Sequence, residues 1–148
     1  MITLEEITEM WKKDSVIDEM QLDTASINCV KLHSKYLELL SVFKLQLKRK
    51  DHEQKILLRD KWLWYTGKME KAEMDKRQWK YDPFDGLKVM KSDFEYYYNA
   101  DADLQRSEEL IVYLTTIKET LEEIIGTIRW RHSTFKNIID WKKFQAGN

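Results

Sequence analysis

Residues 110–128 read LIVYLTTIKETLEEIIGTI, and their spacing decides the fold class. Leu110, Leu114, Ile117, Leu121, Ile124 and Ile128 follow one another at steps of four, three, four, three and four. That is the a/d repeat of a helix with one narrow apolar seam. Leu114, Leu121 and Ile128 take position a, and Leu110, Ile117 and Ile124 take position d, so Leu dominates a and Ile dominates d. This choice shifts parallel coiled coils away from dimers toward higher oligomers. After Arg131 the register returns with Phe135 and Ile138. The charged flanks Lys118, Glu119, Glu122 and Glu123 leave the seam thinner than a globular helix usually needs. Self-association through the seam is therefore expected, and one helix of an intramolecular bundle is the alternative. Gly126 would be costly in this helix unless it lets another backbone come close.

Outward from the seam, the rest of the chain also reads as all-α. One proline and four glycines in 148 residues, with 34% charged residues, leave few tight turns. Thr3 and Glu6 have capping-box spacing and open a short helix through Lys13 that carries Leu4, Ile7 and Trp11. Asp14 and Ser15 end it, and Asp23 is the expected N-cap of the next helix. From Thr24 an apolar stripe runs through Ile27, Val30, Leu32, Tyr36, Leu39, Leu40, Phe43 and Leu47 with no breaker before Gly67. The spacing predicts more than forty helical residues, about 60 Å of rise. The stripe lapses between Lys48 and Lys55, where a bend is expected, and Gly67 is the natural stop. Lys68 to Tyr81 forms a further short helix. DPFDG at 82–86 is the strongest turn signal and sets the internal boundary, with a region 1–81 before it and a region 87–148 after it. Ser92 with Glu95 repeats the capping-box spacing, and Asn99 to Asp103 reads as a second cap or a kink.

Charge singles out the middle of the chain. Residues 1–43 carry a net charge of minus four, residues 44–80 plus six and residues 81–148 minus three. The positive third contains KLQLKRKDHEQKILLRDKWLWYTG, residues 44–67. Lys44, Lys48, Lys55 and Arg59 recur at steps that place them on one helix face; Lys48, Lys55, Arg59 and Lys61 are the expected phosphate contacts, with Arg49, Lys50 and Lys68 adding to the field. Trp62 and Tyr65 interleave rings with these cations. Cations can track a phosphate backbone while rings stack on unpaired bases, which is the chemistry of sequence-tolerant single-strand binding. An acidic protein partner for a structural coiled-coil scaffold, or an ordinary solvated face, would use the same residues.

Other function classes find no residues to carry them. His33, His52 and His132 are dispersed, and Cys29 is a lone thiol among apolar neighbours, so neither a metal site nor a nucleophile is expected. The glycines are isolated, and neither a phosphate loop nor a G-x-S-x-G elbow is present. The expectation is a protein that is not an enzyme and needs no cofactor. The opening MITLEEITEMWKKD carries no signal-like apolar run, so the cytosol is the expected compartment. The face opposite Lys44 to Lys55 is polar, which argues against a membrane surface.

Several elements in order carry a resemblance. They are Ile17-Asp18 with Leu22 and Asn28, LHSKYLELL at 32–40, Arg59-Asp60-Lys61 with Trp64-Tyr65 and Gly67, NADADL at 99–104, and Phe144-Gln145-Ala146-Gly147. Over nearly the whole length this set resembles the UvsY family of recombination mediators of T-even-like bacteriophages. The resemblance implies a non-enzymatic protein in the host cytoplasm that binds single-stranded DNA. It implies a ring-like homo-oligomer, a hexamer or heptamer, assembled through the C-terminal part. It also implies help in loading the RecA-like phage recombinase, UvsX, onto strands coated by the phage single-strand-binding protein. The family's Lys/Arg-x-Lys/Arg element falls on Arg59 and Lys61, whose basic groups matter for DNA binding in that family. Region 1–81 would then hold DNA and region 87–148 would assemble. The chain departs at Trp62-Leu63-Trp64-Tyr65, where the family often has Leu-Asp-Tyr-Tyr. The added tryptophans would stack on bases or fill an oligomer contact.

Overall fold

The computed structural model describes residues 1–147, and among them all regular structure is helical. The helices are α1 (Leu4–Asp14), α2 (Leu22–Tyr65), α3 (Lys71–Arg77), α4 (Phe94–Asn99), α5 (Ala102–Arg129) and α6 (Arg131–Gln145), with a 3-10 turn at Lys91–Asp93. The second helix is continuous for 44 residues, so the lapse in its apolar stripe does not break it. It begins at Leu22, one residue before the expected cap at Asp23. Two compact units emerge: Met1–Leu45 with the chain from Thr115 onward, and Gln46–Leu114. The turn at 82–86 therefore lies inside the second unit and does not separate 1–81 from 87–148.

In the first unit the seam finds its neighbour within the same chain. Ile117, Leu121, Ile124, Ile128 and Phe135 are buried, as are Ile7, Leu32, Tyr36, Leu40 and Phe43 from the N-terminal helices. Ile125 is buried beside them, which widens the a/d seam into the broader stripe of a globular helix. The intramolecular alternative holds for these residues, and they are not an exposed oligomer surface. Leu114, counted with the second unit, is also buried, whereas Leu110 is 37% exposed and Ile138 half-buried. A Cβ built on Gly126 meets nothing within 4 Å, so no close backbone approach offsets its cost among the described residues.

Polar contacts tie this unit's ends together. The capping box of α1 forms as expected: the Thr3 N–H donates to Glu6 Oε2 at 2.7 Å and the Glu6 N–H to Thr3 Oγ1 at 3.2 Å. Trp11 meets Tyr36 edge-on at 5.5 Å. Asp14 Oδ2 accepts from Tyr36 Oη at 2.8 Å and from Lys35 Nζ at 2.5 Å. Buried Arg131 donates to the Asp14 carbonyl at 3.1 Å and lies over the Trp11 ring. Burial alone would raise the Asp14 pKa, but the bonds from Lys35 and Tyr36 outweigh it and hold the carboxyl below the usual range.

The second unit is built from shorter pieces. Gly67, at φ 73°, ends α2 in a Schellman motif: its N–H donates to the Trp64 carbonyl at 3.2 Å and the Lys68 N–H to the Leu63 carbonyl at 2.8 Å. Asp82 organises the DPFDG turn by accepting from the N–H groups of Phe84 at 2.9 Å and Gly86 at 2.6 Å. The Ser92–Glu95 capping box does not form, because a 3-10 turn occupies Lys91–Asp93 and α4 starts only at Phe94. Asp101 caps α5, its Oδ1 accepting from the N–H groups of Asp103 and Leu104, each at 3.0 Å.

Candidate nucleic-acid interface

The part of α2 within the second unit presents Lys48, Arg49, Lys55 and Arg59 to solvent. Lys44 is also exposed and belongs to the first unit's share of α2. Asp51 is shared by Lys48 at 3.7 Å and Lys55 at 3.2 Å, and half-buried Lys50 pairs with Glu53 at 2.7 Å. The hydrogen bond from Lys55 lowers the Asp51 pKa. Exposed pairs of this kind contribute little to stability, so a phosphate can replace the carboxylate at little cost.

Arg59 is anchored but not consumed. Its Nε and Nη2 donate to Asp60 Oδ1 at 3.1 and 3.0 Å, while 66% of its side chain stays exposed. Arg77 Nη2 donates to the other Asp60 oxygen at 2.5 Å, which holds this buried carboxylate in place. A guanidinium has five N–H donors in a planar fork, so Arg59 is pre-oriented with donors to spare.

Lys61 faces the other way, which corrects its expected role as a phosphate contact. Residues two apart on an α-helix are rotated by about 200°, so an element of the form Arg-x-Lys cannot present both cations to one surface. The Lys61 residue is 2% exposed. Its Nζ lies 3.0 Å from Asp101 Oδ2 and 2.8 Å from Asp103 Oδ2, and 4.6 and 4.0 Å from the ring centroids of Trp64 and Trp79. In this position it cannot reach a phosphate of a bound strand. The Lys61 hydrogen bond holds the Asp103 carboxyl below the usual range, despite partial burial that opposes it.

Tyr65 shares the inward face, four residues on, and cannot stack on bases either. It is 6% exposed and its hydroxyl donates to Asp101 Oδ2 at 2.6 Å. Burial, followed by that bond, raises its pKa. Its ring meets Phe84, Tyr97 and Tyr98 at 5.7, 6.5 and 5.0 Å. Trp64 is also spent inside the unit, its Nε1–H donating to the Lys80 carbonyl at 2.7 Å beside Trp79. Trp62, by contrast, is 45% exposed, and Lys68 Nζ sits 4.5 Å from its ring centroid. Asp60, Asp101, Asp103 and Trp79 were not singled out from sequence as parts of the basic site. The inward direction of Lys61 was readable from the helix rotation, but its partner 42 residues away was not.

These features define an all-α protein with a solvent-facing cationic helix whose neighbouring side chains are fixed by a buried polar knot. The family described as "Recombination, repair and ssDNA binding protein UvsY" matches residues 10–148, and the chain belongs to that family. It is 26% identical over 144 residues to the recombination protein UvsY of Enterobacteria phage T4, covering 97% of this chain and 98% of that one. A crystal structure of the bacteriophage T4 recombination mediator protein UvsY superposes with a TM-score of 0.81 at 25% identity, covering 99% of both chains. A second crystal form shows the same fold, with a TM-score of 0.78 at 23% identity and coverage of 97% and 99%. Among the described residues no helix is long and apolar enough to cross a membrane.

Proposed function

We propose that the chain is a recombination mediator that binds single-stranded DNA in the cytoplasm of the infected host. It promotes loading of a RecA-like recombinase, UvsX in the phage system, onto strands coated by the phage single-strand-binding protein. The observation that carries this reading is the exposed row Lys48, Arg49, Lys55 and Arg59 on one continuous helix of a chain of this family. These cations neutralise phosphates, Lys68 adds charge beside Trp62, and Lys61 acts from within by fixing the helix. Each site is weak alone. A ring of copies holding one strand would raise avidity without any new contact. Binding the strand in an organised form weakens the coat protein's hold by mass action and favours filament nucleation. Since most of the seam is buried, contacts between copies would come from exposed apolar groups of α6, namely Ile139, Trp141 and Phe144.

Titration with oligo-dT at rising salt tests the reading. The logarithm of the binding constant should fall linearly with that of salt, with a slope of about 0.7 per neutralised phosphate. Arg59→Glu should weaken binding without loss of helicity. No binding at low salt would overturn the DNA reading and leave the scaffold with an acidic protein partner.

A further inference from the structure

A hollow in the second unit, with a volume of about 570 Å³, is lined by Trp62, Lys68, Lys91, Phe94 and Tyr98. We propose that it captures one unpaired base of the bound strand, with the adjoining phosphate held by Lys68 and Lys91. This inference rests on the strand-binding reading above and adds a second, base-directed subsite to its backbone contacts.

Three observations converge. First, rings from separate helices meet here: Trp62 from the end of α2, and Phe94 and Tyr98 from α4. Bases of any identity have a face that stacks on such rings. Second, the rings are braced from behind. Phe94 stacks on Phe84 at 5.5 Å, and Tyr98 meets Tyr65 edge-on at 5.0 Å, which ties the hollow to the buried knot around Lys61. Third, two cations at the hollow are not neutralised by a carboxylate. Lys48, Lys50, Lys55, Arg59 and Lys61 each have a carboxylate, whereas Lys68 and Lys91 form no ion pair among the described residues. Glu95 also lines the hollow. A carboxylate only accepts hydrogen bonds, so it opposes a phosphate and suits the amino edge of a base. The ligand chemistry is thus an aromatic ring bearing an amino group, joined to a phosphate.

The test compares two oligonucleotides of equal length on the full-length protein, one of dA and one with abasic sugars at every position. The wild type should favour dA by about tenfold, as expected for base–aromatic stacking. Trp62→Leu and Phe94→Leu should bring that ratio close to one while leaving the salt slope unchanged. Lys91→Ala should lower the slope for both strands. An equal affinity of the wild type for the two strands would overturn the base subsite and leave backbone binding intact. An unchanged ratio in the variants would overturn it as well. Failure of the wild type to bind either strand would instead remove the strand-binding reading and this inference with it. Should Phe94→Leu lose helicity, Trp62→Leu decides alone, since Trp62 is already 45% exposed.

Discussion

The two units reach a fixed structure by opposite means. The first buries a conventional apolar stripe, with Ile7, Tyr36, Ile117 and Leu121 at 0% exposure. The second centres on charge: Lys61, Asp60 and Asp101 are all buried, and aromatic rings fill the space around them. An apolar core tolerates loss of a side chain by partial collapse. A buried ion pair does not, because removing one partner strands the other. The second unit is therefore more exposed to the loss of a single charged partner, and it is the unit that carries most of the cationic face.

Single substitutions can break this contrast. Lys61→Met should be the most damaging, at about 3–5 kcal/mol, since buried Asp101 would lose its cation and Asp103 would be left with exposed Arg106. Chemical denaturation measures it, and a loss below about 1 kcal/mol would show that the knot is not a source of stability. Leu121→Ala should cost about 2–5 kcal/mol through its cavity. It should also leave the recombinant protein's mass in sedimentation unchanged, whereas smaller species would show that the stripe reaches a second copy. Tyr65→Phe should cost about 1–2 kcal/mol, because Asp101 keeps Lys61 and its capping N–H groups but loses the phenol.

Acid probes both units at once. Asp103 in the second unit and Asp14 in the first have pKa values below their ordinary ones. A depressed carboxylate adds stability above the unfolded pKa, near 3.9, and that stability is lost as pH falls through the lower folded value. Stability should therefore decline below about pH 4. Asp103→Asn should flatten part of that decline in far-UV circular dichroism, and an unaltered acid profile would remove Asp103 from the linkage.

The same contrast decides what was legible in the sequence. The all-α class, the Thr3 cap, the Gly67 stop and the DPFDG turn each follow from local rules, and each is present. The seam was legible as a pattern, but its partner was not, because Leu and Ile at heptad spacing suit a neighbour in the same chain as well as another copy. Ile125, one residue off the seam, was the available hint that the stripe is wide. The knot was harder to read. Arg59-Asp60-Lys61 and NADADL stood out separately, yet nothing local says that they meet through Lys61, Asp101 and Asp103. Counting charge grouped Lys61 with the surface cations of the basic stretch from Lys44, while the helix rotation between Arg59 and Lys61 already sent it inward.

The smallest expected effect concerns Gly126, where the two readings of the seam still give opposite outcomes. A glycine inside a helix costs about 0.8–1.0 kcal/mol relative to alanine. With open space around the added Cβ, that cost has no compensating contact within the chain. Gly126→Ala should therefore stabilise the protein by up to about 1 kcal/mol in thermal or chemical unfolding. A backbone from another copy lying against Gly126 would reverse the sign, since the methyl would push it away and sedimentation would report lighter species. Greater stability at unchanged mass would leave α5 as a helix of the protomer core and place the contacts between copies elsewhere.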